Sequence, residues 1–218
     1  MTDAPARKLT LSQKVVAKLF DFYFRASQGY EAIATEEMMY VFGLKGFMAW
    51  GAAVGGTVEL LIDRYGEAYT QLILGFGGLW NGCRYCAYGH TLVCNLIKFR
   101  DDNELFPVDP VAMRDLLELR DDEICERIEA LLAGPEWELP RRLLLREFEL
   151  RMGSAEGETE DDDYLRLALD AWEWMNECTI IIGVDIEPDQ VPPLSPIAKD
   201  VELLTRYHAA RDEQRNKT

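Results

Sequence analysis

The stretch from Trp80 to Cys94, WNGCRYCAYGHTLVC, constrains this chain more than any other. It holds three of the five cysteines and one of the two histidines. Asn81-Gly82 predicts a turn, because both residues tolerate positive φ and together interrupt regular structure. From Arg84 onward Leu92, Val93, Leu96, Ile97 and Phe99 recur at helical spacing. Cys83 is therefore expected at or just before a helix start, with Cys86 in the first turn. Residues three apart on a helix are neighbours, and their Cα atoms fall within the roughly 4.4–6.8 Å that a disulfide spans. The unpaired amides and the dipole of a helix start favour a thiolate over a thiol. His90 follows Cys86 by one turn, where an imidazole can act as base or acid. The pattern is that of a reactive dithiol.

Other uses of these residues fit less well. Cys83, Cys86, His90 and Cys94 look like a zinc knuckle on paper, but ligands at the two ends of a continuous apolar helix cannot converge. A c-type haem requires histidine directly after the second cysteine, where Ala87 stands. A thioredoxin fold requires strands alternating with helices around the motif. No metal and no cofactor are expected. Cys94, Cys125 and Cys178 are read as core cysteines, and His208 as a surface or packing residue.

The run NGCRYCAYGH, Cys-x-x-Cys-x-x-x-His behind Asn-Gly, resembles the AhpD-like alkylhydroperoxidase group of the carboxymuconolactone decarboxylase superfamily. The likeness covers about residues 60–130 at most. It implies an all-α fold, an AhpD-like helical core with additional C-terminal helices, and a homo-oligomer. It also implies that Cys86 is the attacking thiolate, that Cys83 resolves it as a disulfide, and that His90 belongs to a proton relay. The family's relay glutamate falls on Gln71, which can orient a partner but cannot carry a proton as a carboxylate does. The best-studied branch has a histidine between its cysteines, where this chain has Tyr85. Glu67, one turn before Gln71, is a candidate substitute carboxylate, with a solvated surface glutamate as the simpler alternative. Tyr85 is a candidate donor to a thiolate or substrate, or an aromatic packing residue. The implied activity is that of a thiol-dependent peroxidase or disulfide reductase, served by a small peroxide or disulfide substrate and a thiol reductant. The alternative is a catalytically impaired helical assembly protein of the same superfamily. Lactone decarboxylation ranks last, since that branch is not marked by the dithiol.

Composition supplies the outer bounds. The formal charge of −16, from 23 Lys and Arg against 39 Asp and Glu, repels phosphate backbones, so no nucleic-acid partner is expected. An odd number of cysteines and the absence of an apolar signal segment in MTDAPARKLTLSQK point to a reducing, cytoplasmic setting. The most apolar run, Gly46 to Val58, is too short for a bilayer, so no membrane partner is expected.

In order along the chain, Ser12 is expected to cap a helix to about Gln28, followed by a short turn or helix over 36–42. A longer helix is expected from Gly46 to Arg64 and another over about 66–80. Glycine inside a helix costs up to about 1 kcal/mol against alanine, so Gly51, Gly55 and Gly56 call for a close neighbour, within the chain or across a subunit boundary. Gln71, Gly75 and Gly78 form one stripe that lets the helix bearing Cys86 and His90 come close and turns Gln71 toward them. Asp109-Pro110 opens a helix to about Leu119, Asp121 or Asp122 caps Glu123 to Ala133, and Trp137 to Met152 carries a basic face of Arg141, Arg142, Arg146 and Arg151. Glu156 to Asp163 is read as an exposed acidic loop, and Tyr164 to Cys178 as a central or interface helix. Thr179 to Ile186 is β-branched and read as a short extended piece. Ser195-Pro196 starts a last helix to about Asp212. One all-helical domain over 1–218 is expected, with a core over about 30–135 and a helical extension over about 136–218.

Overall fold

Asn81 and Gly82 turn the chain back on itself, and the two helices they join form the centre of an all-α fold. Gly82 takes φ +75°, and the backbone N–H of Cys83 returns to Gly78 O at 2.8 Å, closing a tight helical hairpin. The computed structural model describes residues 8–217; the stretch read as lacking a signal segment lies partly outside them. Among the described residues there are eight α-helices, two short 3-10 turns and no strand. They are α1 (Leu11–Ser27), α2 (Thr35–Trp80), α3 (Arg84–Asp102), α4 (Pro110–Leu117), α5 (Asp121–Leu131), α6 (Glu138–Met152), α7 (Asp162–Ile181) and α8 (Val201–Arg215).

The helix α2 runs through all three segments expected between 36 and 80, with breaks at Gly43 (φ +66°) and Gly66 (φ +78°). Both breaks need a backbone conformation that only glycine adopts without strain. The last segment is buried against α3. A Cβ on Gly75 would lie 2.7 Å from Thr91 Oγ1, and one on Gly78 would lie 2.7 Å from the backbone N of Ala87. The expected close approach is therefore made within the chain at these two positions. At Gly51, Gly55 and Gly56 nothing lies within 4 Å, so no described residue accounts for them. By length and composition α2 is long and apolar enough to cross a membrane, so its apolar character extends beyond the short run at 46–58.

The helices α6 and α7 close the other side of α2, burying Leu143, Leu165, Ala168 and Trp172 against Leu61, Ile73 and Leu74. Several boundaries differ from expectation for identifiable reasons. Thr10, not Ser12, caps α1 through a reciprocal pair with Gln13, and Arg120 takes the cap position of α5, with Glu123 accepting its N–H at 3.0 Å. No extended piece forms at Thr179: α7 continues to Ile181, because Cys178 and Thr179 are buried and packing overrides their β preference.

The acidic loop is not wholly exposed. Asp161 and Asp162 are buried, and Arg146 grips Asp162 through Nε at 2.9 Å and Nη2 at 2.7 Å. Arg64, Arg142 and the hydroxyl of Tyr65 converge on Asp161. Arg142 and Arg146 of the basic face of α6 thus find their partners in the acidic run, in a partly desolvated arrangement, bidentate at Arg146, that ordinary surface pairs lack, whereas Arg141 pairs with Glu138 and Arg151 with Glu173.

The two groups of glycines should respond oppositely to alanine. Gly78→Ala places a methyl group against fixed backbone and should cost about 1–3 kcal/mol. Gly55→Ala, with open space around it, should be neutral or stabilise by up to about 1 kcal/mol. Urea denaturation of the two variants measures both, and a Gly78→Ala protein as stable as the native chain would contradict the close packing.

Candidate dithiol site

Cys83 is the N-cap of α3, with extended backbone (φ −86°, ψ 94°), and its sulfur accepts the backbone N–H of Cys86 at 3.4 Å. Cys86 follows in the first turn, as the spacing predicts. The two thiols are reduced, and their sulfurs share a hydrogen bond at 2.8 Å. Both side chains are buried, Cys86 directly beneath the Cβ position of Gly78.

The pair divides its acidity unevenly. The hydrogen bond shared with the Cys86 thiol, aided by the Cys86 N–H, holds Cys83 below the ordinary thiol range against the opposing effect of burial. Burial pushes Cys86 well above that range, and the hydrogen bond and charge of Cys83 add to it. The two thiols share a hydrogen bond and titrate as a pair, with Cys83 the more acidic member. The Thr179 hydroxyl lies beside both sulfurs and donates its proton to Met175 O at 2.8 Å.

Gln71 reaches His90, as its stripe predicts. His90 Nδ1 lies 2.8 Å from Gln71 Oε1, and Trp172 Nε1 lies 3.3 Å from His90 Nε2. The indole can only donate, so Nε2 must accept, and the ring proton sits on Nδ1 and is donated to Gln71. Burial pushes the imidazole down to about 3. His90 is therefore a neutral ring with both nitrogens occupied, and it has no proton to give from Nε2. Glu67 does not join this cluster: it forms a surface ion pair with Arg100 at 3.2 Å. Tyr85 donates its hydroxyl to Glu31 O at 3.1 Å and so packs as an anchor, not as a donor to sulfur.

Cys86 and His90 line an apolar cavity of about 130 Å³ between α1, the 28–34 loop, α2, α3 and α7. Phe20, Phe24, Tyr30 and Trp172 form much of its wall. Cys94 is in the core, with its thiol pushed up to about 12 by burial, and Cys178 is buried in a separate cluster under α1. Cys125 is half-buried on α5, and His208 is exposed with its ring edge-on to Tyr207.

Two contributors have no local signal in the sequence. Trp172 and Thr179 come from α7, which reads only as a generally apolar helix. Away from the site, Glu147 on α6 is buried next to Gly77. Asn176 also meets Gly77, donating to its carbonyl at 3.4 Å, while its own oxygen has no partner. The positional pattern of α6 highlights its arginines, so a buried acid on that helix goes unnoticed.

Two outcomes follow from these environments. His90 should remain neutral and in the Nδ1–H form from pH 5 to 8, read as an unchanging ¹⁵N shift pattern; a titration in that window would contradict the Trp172 and Gln71 bonds. Burial raises Glu147 well above the usual carboxylate range in the folded chain, whereas the unfolded chain titrates normally. Its contribution is therefore most favourable below the unfolded value and is lost as pH rises. Glu147→Gln should be more stable than the native protein at pH 8, with the difference shrinking toward pH 4 in urea melts.

Comparison with family models, with curated proteins and with solved structures found no match to this chain.

Proposed function

We propose that the chain is a thiol-dependent oxidoreductase that cycles Cys83 and Cys86 between dithiol and disulfide, reducing a hydroperoxide or a small disulfide. The observation that carries this is the pair itself: two thiols with touching sulfurs at a helix start, one of them bordering a cavity large enough for a small substrate. The resemblance to the AhpD-like group supports the same chemistry and rests on the motif and its helical setting alone.

With a hydroperoxide, the pair ionises, the Cys86 proton passes along the shared hydrogen bond to Cys83, and the Cys86 thiolate so formed attacks the terminal peroxide oxygen. The O–O bond breaks, Cys86 becomes a sulfenic acid, and the leaving alkoxide needs a proton. Neutral His90 cannot supply it from Nε2, but Cys83, which then holds the shared proton, can. The resulting Cys83 thiolate attacks the Cys86 sulfur, forming the disulfide and releasing hydroxide, which takes up the proton lost when the pair ionised and becomes water. One peroxide and two thiols become one alcohol, one water and one disulfide. An external thiol restores the pair. His90 then acts as a rigid wall that positions Cys86.

A second reading, an impaired assembly protein, draws on two features. Gln71 gives His90 no carboxylate, and several apolar side chains face outward along α1 and the middle of α2, including Phe22 at 71% and Met48 at 58% exposure. Such faces, with the open glycines between them, suit a second copy of the chain.

Peroxide turnover should be low in the native protein, and Cys86→Ser should reduce it at least about 100-fold. Gln71→Glu should raise it by about tenfold, less than the roughly 10²–10⁴-fold that a fully placed proton relay contributes, by raising the basicity of His90. Coupled assays with cumene hydroperoxide measure these rates. If Cys86→Ser keeps the activity, or Gln71→Glu leaves it unchanged, the assembly reading takes the lead.

A further inference from the structure

The two sulfurs border different spaces. Cys86 lines the apolar cavity, whereas Cys83 lies at the bottom of a separate surface groove of about 290 Å³. The groove runs between the turn at Gly82, Arg84 and the end of α7 at Ile180, Gly183 and Val184. Tyr85 and Thr179 line both spaces and form the partition between them. Each is tied down, Tyr85 to Glu31 O and Thr179 to Met175 O. On the groove side, Gly82 (φ +75°) and Gly183 (φ +70°) have nothing within 4 Å of a Cβ position, so the lining is bare backbone at these two points.

A disulfide is opened by a thiolate that bonds to one sulfur while the other leaves. From the groove an attacker meets Cys83, with Cys86 behind it as leaving group. Cys83 is 1% exposed, so the sulfur can be reached by a slender molecule but not by the active surface of a folded protein. We propose that this groove is the site at which a low-molecular-mass thiol re-reduces the pair, on the opposite side of the partition from the cavity that serves Cys86. The inference rests on the proposed cycling of the pair, and adds the class of reductant and the sulfur it attacks.

The step balances. The first thiol, as thiolate, bonds to Cys83, the Cys83–Cys86 bond breaks, and the electron pair leaves on Cys86. A second thiol attacks the bound one, releasing an external disulfide and the Cys83 thiolate. The two protons given up by the external thiols finish on Cys83 and Cys86.

The test begins from disulfide made with diamide, so it does not depend on peroxide chemistry, and uses glutathione as the reducing probe. Ile180 is an exposed wall of the groove, which Ile180→Trp narrows and Ile180→Ala widens. Reduction by glutathione should slow about tenfold or more in Ile180→Trp and should not slow in Ile180→Ala. In Cys86→Ser, oxidised glutathione should form its adduct on Cys83 about tenfold faster than it reacts with Cys86 in Cys83→Ser. Rates within about twofold of native for both Ile180 variants, or equal adduct formation on the two cysteines, would overturn the proposal. So would reduction by a protein dithiol alone, with glutathione inactive. A groove effect without peroxide turnover removes the peroxidase function only, and turnover without a groove effect removes this inference only.

Discussion

The contact between α2 and α3 at Gly75 and Gly78 is the constraint on which the rest depends. Two glycines one turn apart let backbone meet backbone, with the Cβ positions 2.7 Å from Thr91 Oγ1 and from Ala87 N. No larger residue fits without separating the helices. That closeness places Gln71 within 2.8 Å of His90 and buries Cys86 under Gly78. The Asn81-Gly82 turn then sets Cys83 at the helix start, where its sulfur meets both the Cys86 N–H and the Cys86 thiol.

Burial then decides the protonation of every group at the site. Removing water disfavours charge, so His90 is neutral and Cys86 resists ionisation. Cys83 escapes because hydrogen bonds from its neighbour outweigh burial. The result is a pair of thiols of unequal acidity beside an imidazole fixed between Gln71 and Trp172. A glutamate at 71 would bring a charge into this dry environment, and the glutamine avoids that cost.

The acidic run and the basic face of α6 show the same principle used for structure. Asp161 and Asp162 enter the protein only because Arg64, Arg142, Arg146 and Tyr65 meet them there. Such an ion network closes the end of α7 against α2, which in turn fixes the start of the helix that carries Trp172 and Thr179. The site is therefore held from two sides: by glycine packing along α3, and by paired charge at the start of α7.

The sequence by itself determined the all-α class, the hairpin at Asn81-Gly82, the capping position of Cys83, and the stripe that turns Gln71 toward His90. These follow from turn chemistry and helical periodicity, which act over a few residues and are written locally. Only the tertiary structure decided that Trp172 occupies the second nitrogen of His90, that α1 lines the cavity at Cys86, that Asp162 is buried and that Glu67 is not part of the site. Each of these joins segments far apart in the chain, and their meeting depends on how whole helices dock. Periodicity marks which face of a helix is apolar; which partner that face meets, and which polar groups are carried into the dry interior with it, is settled by packing.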